Sequence, residues 1–272
     1  MDYKMDKVVS SRSFASFFRW NRTSYFLFSG FLALIGLIIY VWWPLAEEYI
    51  NLFDKNIPIW QQLDYLLIGI FLVMSLLIMA NADLRHDLPL AFVGLIGGLV
   101  IEAWGTQTGI WTYYTNERPP LWIIPAWPIA TLSIDRLYRI LEHMARRLPE
   151  SWVNTFYWMC LGGFMILMVR FIYPSLGKSL TVMALILCVF IILTPTNKRS
   201  MLYIFIMGSA LGYFLERWGT SRLCWTYYTH ETPPFFAVLA HGMASVAFWR
   251  AKNALQFGWQ QILLWIRLKA LN

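Results

Sequence analysis

Two glutamates stand in the same setting in two places along the chain. Residues 102–120 read EAWGTQTGIWTYYTNERPP, and residues 216–234 read ERWGTSRLCWTYYTHETPP. The offset is 114 with no gap, and 12 of the 19 positions are identical. Each copy opens on a glutamate, Glu102 or Glu216, that ends an apolar run. An ionisable residue at the edge of such a run is a functional candidate by default. Burial disfavours the charged form of a carboxyl, and a facing like charge disfavours it further. Two facing glutamates are therefore expected to hold at least one proton near neutral pH, which makes a general acid. Glu102 is the expected donor and Glu216 its charged or hydrogen-bonding partner, with Arg222 and His230 stabilising charge on the second side. The competing reading is a structural corner, in which each glutamate bonds its own turn or a loop arginine.

The aromatics that follow supply the rest of a candidate site. Trp104, Trp111, Tyr113 and Tyr114 recur as Trp218, Trp225, Tyr227 and Tyr228. Tryptophan and tyrosine gather at membrane interfaces in any case. An anchoring belt, however, needs composition and not fixed spacing. A cavity walled by such rings would stabilise a cation through their π faces. Each motif closes on Thr-x-Glu-x-Pro-Pro, where Glu117 and Glu231 are expected to cap the helix that the prolines start. The copies also differ: Thr108 becomes Arg222, Asn116 becomes His230 and Trp127 becomes His241, so Arg222, His230 and His241 join the candidate substrate-binding residues. The histidines are scattered, and neither a metal site nor a haem is expected.

The elements that must position these groups are apolar helices. Residues 24–46, 65–82, 151–169, 179–197 and 232–249 carry no Asp, Glu, Lys or Arg. Spanning the hydrocarbon of a bilayer takes roughly 17–25 apolar residues. Eight spans are expected, near 24–46, 64–82, 88–104, 120–138, 152–174, 179–196, 200–217 and 233–250. Arginines and lysines then collect before the first span, between the fourth and fifth, between the sixth and seventh, and after the eighth. The positive-inside rule places both termini in the cytoplasm of an inner-membrane protein, and both motifs on the outer side.

The expected fold class is an all-α polytopic membrane protein of two parallel four-helix repeats. Residues 1–23 form a cytoplasmic amphipathic segment, 24–138 the first repeat, 139–151 a basic linker, 152–250 the second repeat and 251–272 an amphipathic C-terminal helix. A four-span unit returns the chain to its starting side, so the repeats are expected to share an axis along the membrane normal. The 114-residue register fails upstream of the second span, which implies an insertion in the first half.

Composition agrees. The 272 residues are 58% hydrophobic and 14% charged, against about 25% charged in a soluble domain. The formal charge of +7 is accounted for by cytoplasmic loops, and no basic motif matches a nucleic-acid reader. Cys160, Cys188 and Cys224 show no CxxC spacing and imply neither a disulfide framework nor a zinc site.

The string Glu102-x-x-Gly105-Thr106-x-Thr108-Gly109-x-Trp111-x-Tyr113-Tyr114 resembles the signature of integral-membrane carotenoid-biosynthesis proteins. It is similar to the carotenoid hydratases of the bacterioruberin pathway and to the small membrane lycopene cyclases. The cyclases carry a Pro-x-Glu-Glu element soon after this turn, whereas this chain has Pro125-Ala126-Trp127-Pro128. The resemblance implies a polyene dissolved in the bilayer, protonated at a C=C bond by a glutamate and captured by water or a neighbouring alkene, with no cofactor. Two other classes compete with this lyase- or isomerase-like enzyme. One is a proton-coupled lipid or small-molecule transporter. The other is a non-catalytic scaffold whose partners are other membrane proteins.

Overall fold

In the computed structural model the described residues are 18–270, apart from 42, 44–46, 48, 49 and 52. Most of the N-terminal amphipathic segment, with Phe14 and Phe17, lies outside them.

Among the described residues the regular elements are helices, apart from two three-residue strands. In order come α1 (Arg22–Val41), α2 (Ile59–Gln62), α3 (Tyr65–Met79), α4 (Leu84–Thr108), β1 (Trp111–Tyr113), a 3-10 turn, α5 (Ala126–Ala145), α6 (Glu150–Ile172), α7 (Ser179–Leu193), α8 (Lys198–Ser221), β2 (Trp225–Tyr227) and α9 (Phe235–Ala270). Each segment expected to span overlaps one of these helices over part of its length. Among the described residues, Leu84–Thr108 and Glu150–Ser175 are long and apolar enough to cross a bilayer by length and composition, while α3 and α7 are apolar but shorter.

The internal repeat extends beyond the motif. The bounds of α3 and α7 differ by 114 residues at both ends, as do those of β1 and β2. The register breaks where α2 and its flanking loop occupy the stretch between α1 and α3. The insertion expected in the first half is there.

Local chemistry sets the helix ends. Asp64, Asp83 and Asn197 each accept a backbone N–H of the first turn of α3, α4 and α8. The α4 helix stops at Gly109, whose φ of 73° is the left-handed conformation glycine permits. At the equivalent place Leu223 adopts φ 56°, so the loss of glycine did not change the turn. Two equivalent arginines reach orphan carbonyls at the C-termini of equivalent helices. Arg136 Nε donates to Ala80 O at 2.8 Å beyond α3, and Arg250 Nη1 donates to Ile191 O at 2.9 Å in α7.

Three expectations change. The two-stranded ladder was not foreseen, because each strand is too short to show period-two alternation. The helix expected from residue 120 begins at Ala126, after the 3-10 turn Leu121–Ile123, so Glu117 does not cap it; Glu117 instead accepts from Thr115 Oγ1 at 3.3 Å. Residues 251–270 continue α9 without a break, since residues 249–256 contain neither proline nor glycine to interrupt the ladder. The resulting helix of 36 residues is about 54 Å long.

Candidate functional site

Glu102 and Glu216 sit within the last two turns of α4 and α8, each 4% exposed. The chain then turns back and lays its tryptophan over the helix it has just left. A Cβ at Gly105 would fall 1.9 Å from the Trp111 ring, and one at Gly219 would fall 1.9 Å from the Trp225 ring. These glycines exist because an indole lies on the backbone at that turn.

That fold-back brings a tryptophan and a tyrosine to each glutamate, and the next helix brings a third partner. Glu102 Oε2 accepts from Trp111 Nε1 at 3.1 Å and from Tyr113 Oη at 2.9 Å, and its Oε1 accepts from Trp127 Nε1 at 3.1 Å. Glu216 Oε2 accepts from Trp225 Nε1 at 2.9 Å. Its Oε1 meets Tyr227 Oη and His241 Nε2, both at 2.9 Å. Residue 127 of the first half and residue 241 of the second thus occupy equivalent places with different chemistry.

The two motifs meet directly. β1 and β2 pair antiparallel with Trp111 opposite Tyr227, Thr112 opposite Thr226 and Tyr113 opposite Trp225. Flanking bonds repeat the relation: Tyr114 N donates to Cys224 O, and Tyr228 N donates to Ile110 O, both at 3.1 Å. The ladder therefore has a local two-fold axis at Thr112 and Thr226.

Both carboxylates border one cavity of about 910 Å³. Its walls include Trp104, Trp111, Tyr113 and their counterparts Trp218, Trp225 and Tyr227, together with His241. Leucine, isoleucine, methionine and phenylalanine from α1, α3, α6 and α7 complete them. No lysine or arginine is among the lining residues described. Cation–π walls and two carboxylates leave positive charge as the species this space favours.

Not every expected residue reaches the cavity. Tyr114 and Tyr228 are 52% and 40% exposed, and neither lines it. His230 is exposed on a turn with φ 58°. Arg222 does not face Glu216: its Nε and Nη2 hold Asp64 Oδ2 and Oδ1 at 2.7 and 2.9 Å. Asp64 also accepts from Trp218 Nε1 at 2.8 Å, so Arg222 acts on the cavity only by bracing one wall. Trp127 was missed as a site residue, although its alignment with His241 at the 114-residue offset was in the sequence.

A second polar cluster lies at the other end of α4, about 22 Å along the helix from Glu102. The Arg136 guanidinium reaches Asp87 through Nη1 at 3.0 Å and Nη2 at 2.6 Å, and Asp135 Oδ2 at 2.8 Å. His86 Nε2 meets Asp135 Oδ1 at 3.0 Å, and its Nδ1 meets Lys252 Nζ at 3.3 Å. An ammonium only donates, so facing it Nδ1 accepts, and Nε2 is the donor to Asp135. Burial holds the Lys252 ammonium below its ordinary 10.5 against the pull of Asp135. His86, Asp87 and Asp135 place ligand-type atoms within 4.8 Å of one another. Arg136, Arg139 and Lys252 already occupy those atoms, so the cluster is an ion-pair network joining α4, α5 and α9.

Comparison of the chain with protein-family models, curated proteins and solved structures found no match.

Proposed function

We propose that the chain is a multi-span membrane enzyme that binds an elongated isoprenoid-like lipid in the aromatic cavity and uses its glutamate pair to move a proton at a C=C bond. The observation that carries this reading is the cavity itself. It is apolar, walled by indoles and phenols, and bordered by two buried carboxylates with no lysine or arginine in the described wall. The resemblance of the motif to carotenoid hydratases and membrane lycopene cyclases points to the same chemistry.

The step balances without a redox partner. A carboxylic acid gives its proton to one alkene carbon, forming a C–H bond and leaving a cation on the other. Facing rings stabilise that cation. Water adds its oxygen to the cation and returns a proton to the carboxylate, for a net addition of water.

Eight spans, in two four-helix units related by an axis along the membrane normal, fit this role, with both termini in the cytoplasm and the motifs outside. Support comes from the exterior. Leu72, Leu76, Phe92, Ile96, Ile186 and Phe190 are large, apolar and exposed on α3, α4 and α7, a surface suited to lipid. The basic residues between α5 and α6 and at the start of α8 fit the cytoplasmic side.

Purification from cells that make polyenes, followed by solvent extraction, tests the reading. The wild type is expected to carry a bound isoprenoid, and Ala240→Phe, which fills the cavity, to lose it. Extracts holding host phospholipid alone, the same for both proteins, would refute it.

A further inference from the structure

The two carboxylates look alike by symmetry, but their donors are not equivalent. Glu102 faces two indoles, one on each oxygen, and indole N–H groups only donate. Neither indole can take a proton back from Glu102, and the partner that could is Tyr113 Oη, 2.9 Å from Oε2. Glu216 faces one indole, on Oε2. On Oε1 it meets Tyr227 Oη and His241 Nε2, and each of these can donate or accept. A hydrogen can sit on either side of the Glu216–His241 contact with every other bond intact.

We propose that the glutamates divide the work: Glu216 with His241 is the proton-exchanging pair that faces the cavity, and Glu102, with an indole in place of the imidazole, is its hydrogen-bonded counterpart. The assignment rests on the acid-centre reading and refines it, and it reverses the expectation from sequence that Glu102 is the donor. In one state the imidazole carries hydrogens on both nitrogens, the Nδ1 hydrogen taken from cavity water, and its Nε2–H donates to the Glu216 carboxylate. In the other, the proton has crossed to Oε1 and Nε2 accepts from the acid. His241 lines the cavity, and its Nδ1 has no protein partner among the described residues. That nitrogen is the route by which water recharges the pair. The proton belongs to the pair and not to either residue.

The groups facing the pair are few. Tyr227 comes from β2, Tyr113 and Glu102 from the first half, and Cys188 from α7. Trp127 stacks on the imidazole at 5.6 Å with an interplanar angle of 17°.

The decisive test needs no substrate. Infrared difference spectra of the detergent-purified protein, recorded as pH is stepped across the range where imidazole titrates, report the C=O stretch of a protonated carboxyl. We expect a pH-dependent carboxylic band in the wild type, its loss in Glu216→Gln and its persistence in Glu102→Gln. Stability gives a second reading. An amide NH2 at position 216 can face Tyr227 and His241, which accept it, so Glu216→Gln folds with a Tm near wild type. At position 102 either orientation puts NH2 against an indole N–H, so Glu102→Gln has a lower Tm. The exchanged pair Trp127→His with His241→Trp is expected to move the band to Glu102, because a glycine, Gly98 or Gly212, lies directly beneath each ring.

A band that vanishes with Glu102→Gln overturns the assignment, as does the absence of any carboxylic band across that range. A Glu216→Gln protein that fails to fold while Glu102→Gln folds overturns it too. Because no lipid enters the measurement, a chain that binds no isoprenoid can still pass it, and one that does can still fail it.

Discussion

Trp127 and His241 occupy equivalent positions in the two halves, stack on each other with ring centroids 5.6 Å apart, and each hydrogen-bonds the glutamate of its own half. This contact joins the two carboxylates through one pair of rings. It also concentrates the largest chemical difference between the halves at their meeting point. A residue that can only donate faces one that can exchange.

Topology is open to direct test. Glu117 and Glu231 are exposed on equivalent turns, next to positions 116 and 230 whose positive φ disfavours substitution. In a background without Cys160, Cys188 and Cys224, Glu117→Cys and Glu231→Cys are both expected to react with an impermeant maleimide added outside the cell. Labelling from opposite faces would break the parallel-repeat arrangement.

Close packing of indole on backbone sets a second expectation. Gly105→Ala and Gly219→Ala drive a methyl into the Trp111 and Trp225 rings and should each cost about 1–3 kcal/mol. Gly162→Ala, in α6 with nothing within 4 Å of its Cβ, should instead stabilise by about 0.5–1 kcal/mol. Thermal melts in one detergent compare the three, and equal Tm values for all of them would contradict the fold-back.

The ion network at the other end of α4 makes a third. Arg136 and Asp87 are 3% and 1% exposed. Removing one partner strands a buried charge, so Asp87→Asn should cost about 3–5 kcal/mol. Asp87→Leu combined with Arg136→Met should recover part of that loss. A fully stable Asp87→Asn protein would mean that water reaches the site.

Lys252 gives a pH dependence with a definite sign. Its folded value lies below 10.5 because burial disfavours the ammonium. The folded state therefore binds fewer protons than the unfolded one between the two values, and stability rises with pH through that window. Below the folded value the lysine is charged in both states and its full penalty applies. Lys252→Met should accordingly raise Tm at pH 7, and the gain should vanish as pH approaches about 10.5. A gain that grows with pH would show that the lysine is stabilised by its partners.

Much of this was legible in the sequence, for specific reasons. Helices were readable from apolar runs, and the repeat from identity at a fixed offset. The offset also placed Glu102 beside its own Trp111 and Tyr113, because short turns keep neighbours together. Contacts set by three-dimensional closure were not readable. Arg222 pairs with Asp64, 158 residues away, and nothing in the spacing of either announces it. Lys252 and His86 are 166 residues apart, and nothing in the spacing of either announces their contact. The exposed faces of Tyr114 and Tyr228 follow from strand alternation, which gives Tyr113 and Tyr227 the inward positions.

The central claim is that this cavity adds a proton to an alkene, and solvent isotope tests it most directly. Proteoliposomes holding the protein and an acyclic polyene would be incubated in deuterated water, and the extracted lipid analysed by mass spectrometry. The wild type is expected to yield a product carrying a carbon-bound deuterium and the elements of water. Glu216→Gln is expected to lower its rate by at least about 10²-fold, the usual share of general acid catalysis. Unchanged polyene with the wild type, or full deuterium incorporation by both Glu102→Gln and Glu216→Gln, would contradict the acid centre and leave the glutamates as structural corners.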